Sequence, residues 1–467
     1  MHDLCGADAL CRQARCGHFR PNALEELGIA YELFGRNHTV LESSRVHSMS
    51  TLCKADLTET RCVVATSRFT QAPHSCHTSR VIQAAVRAAQ VPPFHAMAMS
   101  RAAGAREAAG HRVMHLEVGQ PATGLPDTAR QAVIGALNSP LGYTNATGLS
   151  ELRERLADRH TSLGPPGARP LDRARIVVVA GASAGFSLAF LTLFEPGQRV
   201  GVIEPGYPCY RNTLIALGIE AVPIPVGPES RWAPTAQHLS EAGHLDGLVL
   251  ASPSNPTGTV LSADALAEVA SYCIEHDIAI VADEIYHGII DDGIAPPMLE
   301  HAPDAIVINS FSKYFSMTGW RIGWMVVPDH LVDVVERLQQ NMYICAPHVS
   351  QIAALAALDA TEELEGHVAR YRANRRVMLS GLGAAGIADI APADGAFYIY
   401  AHVPQFTTDI GLSSMDLCQR WLEELGVACT PGIDFDLARG HEYIRFSYAG
   451  EAPDLDEACS AIASWTP

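Results

Sequence analysis

From residue 79 onward, short apolar runs rich in β-branched residues alternate with stretches whose apolar positions recur at helical spacing. The strand candidates are residues 175–180 (RIVVVA), 199–204 (RVGVIE), 245–252 (LDGLVLAS), 278–284 (IAIVADE), 305–310 (AIVINS) and 320–327 (WRIGWMVV), with helical runs such as 183–194 and 263–276 between them. The central strands are apolar along their whole length rather than at every second position. That pattern predicts an α/β fold whose parallel or mostly parallel sheet is covered on both faces. After Pro328 the spacing predicts helices over 331–343, 350–358 and 362–382. An α+β tail follows: strand 396–401, helix 413–425, strand 443–448 and helix 453–465. It reads as a second, smaller domain.

Residues 1–78 carry no sustained periodicity beyond a short helical candidate at 22–34. They hold six of the twelve cysteines and six of the twenty histidines, and their eight basic residues balance eight acidic ones. This segment is expected to be an N-terminal extension, disordered or a product of start-site choice. Its cluster HSCH (His74 to His77) has metal-ligand chemistry, but no second cluster of matching spacing accompanies it, so no metal site is assigned.

Composition narrows the function classes. A chain of 467 residues, 48 % hydrophobic and 18 % charged, is long enough for two or three domains. No apolar run reaches the roughly 20 residues that cross a bilayer, and the N-terminus lacks a continuous apolar signal core. The cysteines are scattered without a C-x-x-C pair, which suits free thiols in a reducing cytoplasm. A formal charge of −18 argues against a broad nucleic-acid surface, so an anionic ligand needs a local basic site.

Of the 33 basic residues only two are lysine, Lys54 and Lys313. Arginine stays protonated in essentially every protein environment, whereas a partly buried lysine can lose its proton and act as nucleophile or base. Lys313 lies in SFSKYFSMTGWRIGW (310–324), a run where chemistry at the amine itself is one reading and an ordinary surface lysine the other. Ligands of such sheets bind at the carboxyl ends of the strands, and polar residues gather there. Gly181-Ala-Ser-Ala-Gly185 follows the first strand and leads into a helix, so its small residues either bring backbone N–H groups to a phosphate or make a tight turn. Ser254-Asn-Pro-Thr-Gly258 follows another strand, and Asp283 ends a third, where a buried carboxylate needs a cation. Asn255, Asp283, Tyr286, Ser310, Lys313 and Arg321 occur in order, each at or near a strand end.

These segments, together with HLEVGQP (115–121), GYTNATGLSELRERLA (142–157), EPGYPCY (204–210), GAFYIY (395–400) and YIRFSYA (443–449), resemble the class I/II aminotransferases, pyridoxal-phosphate enzymes with the aspartate-aminotransferase fold. The resemblance runs from about residue 79 to the C-terminus. It implies fold type I: a large domain (125–345) on a mostly parallel seven-stranded sheet, and a smaller α+β domain (346–467) to which residues 79–124 contribute. It also implies pyridoxal 5′-phosphate joined to the amine of Lys313, which then serves as the general base. Asp283 would pair with the ring nitrogen, Tyr286 and Asn255 would bond the phenolic oxygen, and Tyr207 would stack on the ring. Ala182, Ser183, Ser310 and Arg321 would hold the phosphate. Tyr143 would reach a phosphate in the partner subunit of a homodimer with its active site at the subunit interface. Arg445 would grip the substrate α-carboxylate, with Asn255 and Gly119 close to the substrate.

The activity implied is ping-pong transfer of an amino group between an L-amino acid and a 2-oxo acid. A Cβ lyase of the same fold shares Lys313, Asp283 and Arg445. A transcription regulator with an aminotransferase-like domain would need a basic helical module, which residues 1–78 do not supply. One departure is visible: the family usually shows a phenylalanine–glycine pair after Thr430-Pro-Gly432, whereas here Phe435 is followed by Asp436, which puts the shape of that turn in question.

Overall fold

The computed structural model describes residues 82–164 and 169–466. The extension expected over 1–78, its helical candidate and its HSCH cluster lie outside the described residues. Helix α1 (His95–Ala108) leads to the short strand β1 (Met114–His115) and to helices α2 (Asp127–Ala136) and α3 (Ser150–Leu163). Strands and helices then alternate: β2 (Ile176–Val179), α4 (Ala182–Leu193), β3 (Arg199–Glu204), α5 (Pro208–Leu217) and β4 (Glu220–Pro225). After them come β5 (Gly247–Ala251), α6 (Ala263–Glu275), β6 (Ala279–Asp283), β7 (Ile306–Ser310) and β8 (Gly323–Val326).

These strands form a seven-stranded sheet in the order β2–β8–β7–β6–β5–β3–β4. All neighbours are parallel except β8, which runs against both β2 and β7. The pattern of apolar residues misses β4, whose sequence EAVPIP reads poorly as a strand. Its prolines are tolerated because β4 is an edge strand, where a missing N–H breaks no central ladder. Both faces are covered, as the continuous apolar runs require. Val177, Val179, Val249, Val281 and Ile308 point into one apolar cluster, and Ile176, Val178, Leu250, Ile280 and Val307 into another. Each such side chain gains roughly 1.5–3 kcal/mol by leaving water.

The reversal at β8 positions the site. Six strands end at one edge of the sheet, and β8 begins there, with Gly323 opposite both Val179 and Ser310. Arg321, just before β8, therefore arrives beside the end of β7 and the start of α4.

Helices α7 (Val332–Met342), α8 (His348–Ala357) and α9 (Thr361–Ala384) follow. Thr128 of α2 donates to the Ala356 carbonyl of α8 at 3.2 Å. The remaining elements are β9 (Tyr398–His402), α10 (Ser414–Leu425), β10 (Val427–Ala428), β11 (Thr430–Pro431), β12 (Tyr443–Ser447) and α11 (Ala452–Ser464). Strands β11, β12 and β9 form an antiparallel sheet, while β1 pairs in parallel with β10. The first described strand is thereby joined to the last third of the chain. Among the described residues no helix is long and apolar enough to cross a membrane.

Candidate active site

Eleven of the twelve residues singled out from sequence line one cavity of about 260 Å³ at the carboxyl edge of the large sheet: Gly119, Ala182, Ser183, Tyr207, Asn255, Asp283, Tyr286, Ser310, Lys313, Arg321 and Arg445. Tyr143 does not. It is 86 % exposed, on a loop pinned where His348 Nδ1 meets the Gly142 carbonyl at 2.9 Å and Gln351 Nε2 donates to Thr144 Oγ1 at 2.9 Å.

At one end of the cavity the backbone turns sharply. Gly181 has φ 84°, a conformation glycine adopts without steric penalty, and an added methyl group would meet the Arg321 guanidinium at 2.6 Å. Gly181 thus lets the cation close on the start of α4, where the N–H groups of Ala182 and Ser183 have no helical acceptor. Arg321 itself is held at φ 50° and donates from Nη1 to the Thr318 carbonyl at 3.0 Å. Among the described residues it forms no ion pair with a carboxylate. Ser310 donates to Ser312 Oγ at 2.9 Å and receives the Ser312 N–H at 3.0 Å. Free N–H groups, hydroxyls, a helix N-terminus and an unpaired arginine together form an anion site.

In the middle lies the titrating pair. Asp283, the last residue of β6, accepts from the Tyr210 hydroxyl through Oδ2 and from the Ile285 N–H through Oδ1 at 3.0 Å. Burial pushes its pKa up to about 6; the Tyr210 hydroxyl, the Ile285 N–H and the Lys313 charge pull it back down. Lys313 donates to the Gly119 carbonyl at 2.6 Å, with Nζ 5.6 Å from the centre of the Tyr286 ring. Burial lowers its pKa to about 8, Arg445 and Arg321 push the same way, and Asp283 opposes them. Near neutral pH a fraction of this amine is unprotonated and nucleophilic. Tyr286 shares a hydrogen bond of 2.7 Å with Tyr398, and burial holds its pKa well above the ordinary phenol value, so it stays a neutral donor.

The far end is built on β12. Arg445 is 3 % exposed and lies over the rings of Tyr398 (4.5 Å) and Phe435 (4.9 Å). Its Nη1 donates to Asn255 Oδ1 at 3.1 Å, and its Nη2 donates to the Glu117 carbonyl at 2.5 Å and to Thr430 Oγ1 at 3.0 Å. Its Nε has no acceptor among the described residues. A buried, rigidly placed guanidinium with donors to spare is suited to a carboxylate. The wall between these polar groups includes the apolar side chains of Phe94, Met97, Val118 and Ile285.

Three contributors escape the sequence reading. Tyr210 lies within EPGYPCY without an assigned role, yet its hydroxyl bonds Asp283. Ser312, beside Lys313, reads as structural, yet it lines the cavity and orders Ser310. Tyr398 lies within GAFYIY, but nothing in that motif marks its hydroxyl as the partner of Tyr286. The turn that begins at Gly432 is well formed around Asp436: its Oδ1 accepts from Ala438 N (3.0 Å) and Arg439 N (2.8 Å), and its Oδ2 from Arg439 Nε (2.7 Å).

The family model described as aminotransferase class I and II matches residues 111–462. The valine–pyruvate aminotransferase of Mycobacterium tuberculosis is 45 % identical over 389 residues, spanning 81 % of this chain and 97 % of that protein. The arginine–pyruvate transaminase of Pseudomonas aeruginosa is 32 % identical over 77 % of this chain and 91 % of its own length. Among solved structures, an aminotransferase from M. tuberculosis superposes with TM-score 0.78 at 44 % identity, covering 82 % of this chain and 99 % of the other. The aspartate aminotransferase of Thermus thermophilus, crystallised with maleate, gives TM-score 0.76 at 27 % identity over 82 % and 99 % of the two chains.

Proposed function

The chain belongs to the class I and II aminotransferases, and from that premise we propose a transaminase that holds pyridoxal 5′-phosphate around Lys313 and takes L-amino acids with apolar side chains. The acceptor proposed is a 2-oxo acid of the pyruvate class. The observation that carries this reading is a single cavity with three separate polar stations, Arg321 with α4, Asp283 with Lys313, and Arg445, joined by an apolar wall.

The residues present fit the cofactor. Ala182, Ser183, Ser310 and Arg321 offer a phosphate its donors, and the unpaired Arg321 lacks the anion that such a group provides. Asp283, whose charged form burial disfavours, suits a protonated ring nitrogen. Tyr286 and Asn255 would bond the phenolic oxygen, and Tyr207 would lie against the ring. When bound, the cofactor supplies the sink for the electron pair left at the substrate Cα.

The remaining work belongs to the chain. Arg445 would bind the α-carboxylate and fix the direction of the Cα–H bond, Asn255 and Gly119 bordering the same space. Lys313 Nζ, unprotonated in part because it is buried, would take the proton from Cα and deliver it to C4′ of the cofactor rather than back to Cα. Phe94, Met97, Val118 and Ile285 would receive the side chain. Among the described cavity residues the cations are Lys313, Arg321 and Arg445, each with a role already, so this chain's own lining spares no cation for a distal carboxylate.

We also propose a cytoplasmic homodimer in which Tyr143, exposed on its pinned loop, contributes to the partner's phosphate site. The same reading divides the chain at 1–78, 79–124, 125–345 and 346–467, and the pairing of β1 with β10 supports assigning 79–124 to the small domain. The test is a donor screen against pyruvate, 2-oxoglutarate and oxaloacetate. Valine-like donors with pyruvate should turn over fastest, giving one product amino acid per donor consumed. Aspartate and glutamate as the best donors would refute the substrate class. Sustained pyruvate and ammonia release from a β-substituted donor, without an acceptor, would refute transamination.

A further inference from the structure

Three segments far apart in sequence meet at the turn containing Asp434, a side chain that the reaction leaves without a role. Asp434 is 2 % exposed, and its carboxylate accepts from His95 N at 2.8 Å and from Ala96 N at 2.6 Å. These are the first two N–H groups of α1. The helix has no cap of its own, because its N-cap residue is Phe94 and makes no side-chain cap bond. A carboxylate more than three hundred residues away therefore serves as the cap and meets the positive end of the helix. Further along the helix Met99 and Ala103 sit in the main apolar core, whereas at its first turn the buried residue is Ala96.

The capped turn is also a wall of the cavity. Phe94, Ala96 and Met97 line it, and the Phe94 ring meets Tyr207 edge-on at 6.1 Å. The other side of Asp434 is anchored to the site's framework. Arg211 Nη2 donates to the Asp434 carbonyl at 3.3 Å while Nη1 pairs with Glu204 at 2.8 Å. Gly206 N donates to the Phe435 carbonyl at 2.9 Å, and the Phe435 ring supports Arg445.

We propose that Asp434 is a specificity-determining positioning residue, latching the start of α1 to the turn that supports Arg445. The apolar wall of Phe94 and Met97 is thereby held at a set distance from the group that grips the carboxylate, so the substrate side chain is gauged between two linked ends. The inference rests on the transaminase reading and deepens it.

The test compares wild type, Asp434→Ala and Asp434→Asn as cofactor-loaded proteins. Hydrogen exchange of the α1 amides should quicken about tenfold in Asp434→Ala, as expected for a lost cap, with β5–β7 unchanged. The kcat/KM ratio between a valine-sized and an alanine-sized donor should collapse by a similar factor, mainly through KM, while kcat for the smaller donor holds. Asp434→Asn keeps one acceptor oxygen and should recover part of both effects. Unchanged exchange in α1 would overturn the latch. An equal loss for every donor, tracking a fall in thermal stability, would reduce Asp434 to a structural residue. A wild type that transaminates no donor would overturn the specificity claim together with the functional reading, while the exchange comparison still decides the latch.

Discussion

Replacing Arg445 by lysine keeps the charge and removes the planar fork, which isolates what the geometry contributes. Three N–H groups of the guanidinium are committed to Asn255, Glu117 and Thr430, and they fix its plane. Of its five donors one on Nη1 remains uncommitted, and the buried Nε has no acceptor among the described residues. Two charge-assisted hydrogen bonds to a carboxylate contribute roughly 1.5–3 kcal/mol each. A lysine ammonium at the same strand position can keep about one of them, and it leaves the Glu117 carbonyl and Asn255 without their donors. The net loss expected is about 2–4 kcal/mol, or roughly 30- to 1000-fold in kcat/KM. The assay measures Arg445→Lys with a preferred amino acid and with the matching amine that lacks the α-carboxylate. The amino acid should lose by that factor, and the amine should lose little, because it has nothing for the fork to hold. Equal losses for both substrates would refute the carboxylate role and make Arg445 a structural cation over Tyr398 and Phe435.

Cofactor-free protein should take up pyridoxal phosphate faster as the pH rises through about 8, because burial lowers Lys313 to that value and only the neutral amine attacks a carbonyl; a flat profile in stopped-flow absorbance would contradict this. Asp283→Asn should cut turnover by about 100-fold or more, yet not destabilise cofactor-free protein at pH 8. The folded pKa of Asp283 is raised to about 6, so its burial penalty is absent below the unfolded value and fully present above about 6; urea midpoints at pH 5 and pH 8 check the sign. Gly119→Ala would drive a methyl group into the Tyr398 hydroxyl, lowering kcat/KM by about tenfold, and adding Tyr398→Phe should recover part of that loss.

The large sheet was legible because its strands are buried on both faces and so read as unbroken apolar runs, from IVVV at β2 to IVIN at β7. Edge strand β4 was not, since its prolines are excluded only from sheet interiors. Helix α1, whose buried residues are mostly alanines, left a weak periodic signal, and its cap comes from a residue that no local rule connects to it. Site residues that must be one chemical type, such as Lys313 among arginines or Asp283 at a strand end, stood out. Supporting residues did not: Tyr210, Ser312 and Tyr398 act through a hydroxyl whose partner only the fold reveals. The strand candidate at 320–327 begins as observed only at Gly323, because 318–320 form a tight turn and Arg321 adopts a left-handed conformation there.

The central claim is that Lys313 is the residue joined to the cofactor. Purified protein loaded with pyridoxal phosphate would be treated with borohydride, digested, and the modified peptide located by mass spectrometry. One cofactor per chain is predicted, on Lys313, with no modified peptide after Lys313→Arg, whose guanidinium is protonated and a poor nucleophile. A label at Lys54, or a label that persists in Lys313→Arg, would contradict it.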